Sequence, residues 1–113
     1  MRSKEGQLQS ECVKWFRFQY PKLIIYAIAN GGSRNVIEAT NLKRQGVLAG
    51  IPDLCVPIAS GGYNALYIEM KYGKGKTTDS QKEMIDKLSG LGNQCEVVRN
   101  FDEFKQVIRN YLL

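Results

Sequence analysis

Asp53-Leu54-Cys55-Val56-Pro57-Ile58-Ala59-Ser60-Gly61-Gly62-Tyr63-Asn64-Ala65-Leu66-Tyr67-Ile68-Glu69-Met70-Lys71 consists of two apolar runs separated by a Gly-Gly pair. Such runs on either side of a glycine turn read as a β-hairpin, with strands over 53–58 and 65–71 and the turn over 59–63. Pro57 has no N–H to donate, which places an edge or a bulge in the first strand. Alternation along the second strand sets Tyr67, Glu69 and Lys71 on one face and Leu66, Ile68 and Met70 on the other. With the turn centred on Gly61, as in a loop Ser60-Gly61-Gly62, Asp53 and Glu69 face each other across the hairpin. Two carboxylates that close repel unless a cation lies between them, and an all-oxygen donor set suits Mg²⁺ or Mn²⁺ rather than Zn²⁺. Lys71 then flanks the ion, where an ammonium can stabilise charge on a phosphorane-like centre or help position an attacking water.

Outward from the hairpin the periods change. Residues 6–20 place Leu8, Cys12, Trp15 and Phe16 at helical spacing with Pro21 behind the last turn, which predicts a helix that stops there. The run 23–28 predicts a short buried strand before Gly31-Gly32, and 34–45 a weaker helix ended by Gly46. Downstream, 78–90 predicts a helix with Met84, Ile85, Leu88 and Leu91 on one face, and 95–98 a short strand. Asn100 caps a last helix whose inner face carries Phe104, Val107, Ile108, Tyr111 and Leu112. The order α-β-(α)-β-β-α-β-α predicts an α/β fold, a mixed sheet with helices on both faces.

Two polar residues sit close to apolar stripes. Glu11 falls between Phe18 and Trp15 at the margin of the first helix's stripe, so its carboxylate can turn towards the sheet or stay solvated. Gln81 projects from the centre of the Met84, Ile85 and Leu88 stripe, where an amide needs a partner. Thr78 and Gln81 also fit a capping box, so the two duties can coincide.

Composition bounds the chemistry. At 113 residues and 12.8 kDa the chain is long enough for one domain, spanning 1–113, with 43% hydrophobic and 24% charged residues as in ordinary globular proteins. There is no histidine, which excludes Ser-His-Asp and Cys-His catalysis, imidazole zinc sites and His-dependent nucleases. Cys12, Cys55 and Cys95 show no CxxC spacing and read as buried thiols. The net charge of +5 comes from the first half, where eight Lys/Arg meet three acids, against eight of each over 51–113. A polyanionic partner fits that imbalance. No apolar run approaches a membrane span and the first residues lack a signal peptide's apolar segment, so a cytoplasmic location is expected.

Taken singly, these residues have ordinary readings: Asp53 as a loop acid after Pro52, Glu69 and Lys71 as a solvated cross-strand pair. Together, Glu11, Gly50-Ile51-Pro52-Asp53, Glu69-Met70-Lys71 and Gln81 resemble the VRR-NUC domain of the PD-(D/E)xK nuclease superfamily, as do Asn30-Gly31-Gly32, Leu42-Lys43-Arg44-Gln45-Gly46 and the closing strand and helix. The resemblance covers nearly the whole chain. It implies a restriction-endonuclease-like core, Mg²⁺- or Mn²⁺-dependent phosphodiester hydrolysis and a preference for branched DNA. Free-standing members of this size are similar to homodimeric Holliday junction resolvases. By the same pattern Asp53 and Glu69 are metal ligands with the Met70 carbonyl, and Glu11 is a further carboxylate, direct or through water. Lys71 is then the catalytic lysine and Gln81 its helper.

Arg34, Lys43, Arg44 and the flexible loop Gly73-Lys74-Gly75-Lys76 are the candidate DNA contacts, since basic loops hold phosphates without reading bases. Each alone also reads as a solvated cation. Trp15, Phe18 and Tyr20 make the first helix's stripe wider than one buried face needs, a candidate dimer surface. Three other readings stay open on sequence: a nuclease for flaps, nicks or linear duplex, a non-catalytic DNA-binding module, and a basic interaction domain.

Overall fold

The computed structural model describes residues 3–29 and 36–113. The predicted Arg34 contact and Asn30-Gly31-Gly32 lie outside those residues. The first helix, α1, runs Lys4–Gln19, its N-terminus closed by Ser3, whose hydroxyl accepts from Gly6 N at 2.9 Å. Then follow β1 (Tyr26–Ala27), α2 (Val36–Arg44), β2 (Leu54–Val56), β3 (Leu66–Met70), α3 (Asp79–Gly90), β4 (Gln94–Val98) and α4 (Phe101–Tyr111), in the expected order. The strands lie β1-β2-β3-β4, with β1/β2 and β2/β3 antiparallel and β3/β4 parallel. This is a mixed sheet flanked by helices.

Leu54, Val56, Leu66, Ile68, Met70 and Val98 form one buried face with Leu8, Cys12 and Phe16 of α1 and Phe104, Ile108 and Tyr111 of α4. Trp15 closes the α1/α4 seam through edge contacts with Phe101 and Phe104. On the opposite face, Tyr26, Cys55, Tyr67 and Cys95 are paired in a row across the four strands. There α3 packs on β4, the Cys95 thiol reaching Ile85 O at 3.9 Å.

The hairpin reaches its expected register by an unexpected route. Leu54 pairs with Ile68 and Val56 with Leu66, which sets Asp53 opposite Glu69. Yet the tip is a two-residue turn, with Ser60 paired to Tyr63 around Gly61 (φ 58°) and Gly62 (φ 90°), both in the left-handed region that favours glycine. Between tip and ladder, residues 57–59 face only 64–65. That extra residue is a bulge at Pro57, bent by the bond from Ile58 N to Val56 O at 2.9 Å, and it restores the register that a three-residue turn would give.

Other expectations need correction. The 23–28 run is not a buried strand: only Ile25 is buried, β1 has two residues, and Ile24 and Tyr26 are exposed at 60% and 44%. It is the outer strand of the described sheet, so no strand beyond it takes up its side chains. Leu91 lies past the end of α3 and is exposed. Of the three residues assigned to a dimer surface, Trp15 and Tyr20 pack on the core and on each other, leaving Phe18 exposed.

Candidate active site

The Gly50-Ile51-Pro52 segment brings Asp53 into place. Gly50 has φ 78°, and a Cβ there would stand 2.4 Å from Ser80 O and 3.0 Å from Gln81 N. Only glycine lets this loop run flush against the start of α3. Asp53 then leaves the ladder. Its carbonyl accepts from Ile28 N at 2.8 Å, while its carboxylate Oδ2 accepts from Met70 N at 2.7 Å, taking the place of a strand acceptor. The side chain is thereby held at the end of β3.

Glu69 is 2% exposed, a buried acid on a strand whose neighbours are apolar. Its Oε2 accepts from Gln81 Nε2 at 3.3 Å and lies 3.9 Å from Lys71 Nζ. Its Oε1 is buried and has no hydrogen-bond partner. Burial first, then the charge of Asp53 and a shared hydrogen bond with it, push the Glu69 carboxyl up to about 8, while Lys71 opposes the shift. An acid in that state holds a proton because burial and the neighbouring Asp53 outweigh the Lys71 ammonium.

Gln81 caps α3, as expected, and finds its side-chain partner in Glu69. Its Oε1 accepts from Thr78 N at 2.8 Å in a reciprocal capping box. A backbone N–H can bond only the amide oxygen, so the amide nitrogen must face Glu69.

Of the two acids on α1, Glu5 is the one whose charge contributes to the upward push on Glu69, as the last and smallest of its causes. Glu11 is exposed, beside Gln7, Ser10 and Lys14, whereas half-buried Glu5 adds its charge to the forces raising Glu69. The sequence held a signal for it: at 100° per residue Glu5 lies in the middle of the Leu8, Cys12 and Phe16 stripe. An acid in a first turn reads equally well as a helix-dipole partner, which hid it.

Lys43 and Arg44 are exposed at the end of α2, and Lys74 and Lys76 are exposed after β3. The 73–76 loop is braced rather than free, because the Arg99 guanidinium donates to both Gly73 O and Gly75 O. Sequence reading missed Arg99, whose partners are backbone carbonyls that leave no trace in side-chain spacing. Among the described residues no third acid, cysteine or histidine completes a metal cluster, and no helix is long and apolar enough to cross a membrane.

The VRR-NUC domain family pattern matches residues 1–102. The chain belongs to the VRR-NUC family. A solved structure described as a VRR_NUC domain protein is similar to it with a TM-score of 0.79 and 31% identity, over 98% of this chain and 89% of that one. No curated protein sequence matches this VRR-NUC chain. The family makes it a nuclease-type domain.

Proposed function

We propose that this VRR-NUC chain is a Mg²⁺- or Mn²⁺-dependent, structure-specific DNA endonuclease that resolves four-way junctions as a homodimer. The observation that carries the reading is the orphaned, buried Glu69 Oε1 beside the Asp53 carboxylate. A buried polar atom without a partner is costly, and a carboxylate pair sharing one proton is what a divalent cation would relieve. The donors fit: Asp53, Glu69 and the Met70 carbonyl supply oxygen only, and Mg²⁺ characteristically keeps several waters when few carboxylates hold it. When bound, the ion would supply positive charge beside the scissile phosphate.

The chain's own residues do the rest. Met70 N fixes the Asp53 carboxylate, and Gln81 fixes Glu69 from a helix terminus held by its cap. Lys71, with its side chain only 12% exposed, brings an ammonium to the phosphate, where it stabilises charge gathering on the phosphoryl oxygens and holds the attacking water. Glu5 adds a weaker negative contribution to the field at Glu69. Lys43, Arg44, Lys74 and Lys76 supply phosphate contacts without base readout. Symmetric resolution needs two active sites and this chain carries one, which supports a two-fold dimer.

The test is cleavage of a labelled four-way junction and a matched linear duplex with Mg²⁺, Mn²⁺ or EDTA, by wild type and Lys71→Ala. Paired symmetric nicks in the junction alone, lost with EDTA and in the variant, are expected. Cutting of both substrates would keep the nuclease and overturn the junction preference. Binding without cutting under any metal would overturn the nuclease.

A further inference from the structure

Beside the carboxylates, on the same face of the sheet, lies a groove of about 390 Å³ lined by Tyr26, Ile28, Val47, Leu48, Ile51 and Tyr67. Its size falls within the range of small-molecule sites, which begins near ~300 Å³. Tyr26 and Tyr67 flank Cys55 in one cross-strand row, and both side chains interact with its thiol. Tyr26 and Leu48 are exposed at 44% and 52%, so the groove keeps aromatic and aliphatic surface in water. The reacting groups use none of it.

We infer that this groove takes one unpaired nucleobase, extruded from the DNA next to the scissile phosphate. Three features carry this, and it rests on the nuclease reading above. Aromatic faces among aliphatic walls are the sequence-tolerant stacking platform that bases use. The groove borders the site: its wall residue Tyr67 precedes Glu69 by two residues on the same face of β3, about 7 Å along a strand, and its wall residue Ile51 precedes Asp53 by two. A base on Tyr67 therefore carries its phosphate to the carboxylates. On the other rim, Gln45 and Gly46 line the groove directly after the exposed cations Lys43 and Arg44, which suit the neighbouring phosphate. A base in an intact duplex must first be unstacked to reach the groove, whereas one at a branch or bulge is already free. Structure preference then follows from the groove.

The test uses a labelled duplex with one extrahelical adenine and the same duplex with an abasic residue there, with binding read by fluorescence anisotropy in EDTA. Wild type is expected to bind the adenine probe at least about fivefold more tightly. Tyr26→Ala should bring the two together and Tyr26→Phe should keep them apart, with the melting temperatures of both close to wild type. Leu48→Asp serves as a second variant from another wall. Equal wild-type binding of the two probes would overturn the inference, as would an unchanged ratio in both Tyr26→Ala and Leu48→Asp. Loss of a dimer in light scattering on Tyr26→Ala, with the ratio unchanged, would overturn it by assigning the groove to a second copy. If no substrate is cut under any metal while the base preference persists, the nuclease reading fails and the groove stands.

Discussion

Glu69 has two oxygens with different environments: one accepts from Gln81 near Lys71, and the other is buried without a partner. Its folded carboxyl titrates at about 8 against an ordinary 4.5, so between those values the folded chain holds a proton that the unfolded chain has released. The stability linked to this proton is full below about 4.5 and is lost as pH rises through about 8. Metal-free protein should therefore melt at a lower temperature at pH 8 than at pH 6. A divalent cation held as proposed would displace the proton, so stabilisation by Mn²⁺ should grow over the same interval. Thermal melts with and without Mn²⁺ read both effects, and Glu69→Gln should abolish both. The second prediction at this scale separates the two acids of α1. Glu5→Gln should lower the cleavage rate or metal affinity by about ten- to a hundredfold, as removal of an outer partner of a metal site does. Glu11→Gln, on an exposed position, should change stability by no more than about 0.5 kcal/mol and leave the rate close to wild type.

At the scale of elements, the Gly50 loop and the capped start of α3 act as one device, because backbone contact between them sets Gln81 against Glu69. Gly50→Ala places a methyl against Ser80 O in a left-handed conformation. The expected cost is about 2 kcal/mol, roughly 8 °C in melting temperature for a domain of this size. Cleavage should fall further than stability explains, since the same contact aligns the carboxylates; rates measured well below the melting point test this. Helix caps were legible locally: Ser-, Thr- and Asn-type caps at the starts of the helices need only the residues of one turn, and Thr78 and Asn100 cap as their positions foretell. The hairpin register was legible for a less direct reason, since the tip is shorter than the expected loop and the Pro57 bulge makes up the difference. The exposure of β1 was not legible, because an apolar run carries no mark of whether another strand will lie beside it.

Over the whole molecule, charge and sheet order work together. Exposed cations lie outside the acidic centre at the end of α2 and in the loop after β3. Reversing Lys74 and Lys76 to Glu should weaken DNA binding and lower the salt slope by up to about two units, since each phosphate contact contributes about 0.9. Arg99→Ala, which frees the loop those lysines stand on, should weaken binding by a smaller factor and leave the rate at saturating DNA unchanged; a salt titration by anisotropy with paired kinetics checks both. By itself the sequence determined the order of elements, the Thr78 and Asn100 caps and the opposition of Asp53 and Glu69. Each depends on local period, on turn chemistry or on residues within one hairpin and one helix turn. The tertiary structure alone decided that Glu5 is half-buried while Glu11 is exposed, that Arg99 braces the basic loop, that Trp15 and Tyr20 are packed while Tyr26 is open, and that two tyrosines line a groove beside the carboxylates. These depend on how α1 packs on the sheet core and on which strand lies at the edge, both set by contacts between residues far apart in the chain.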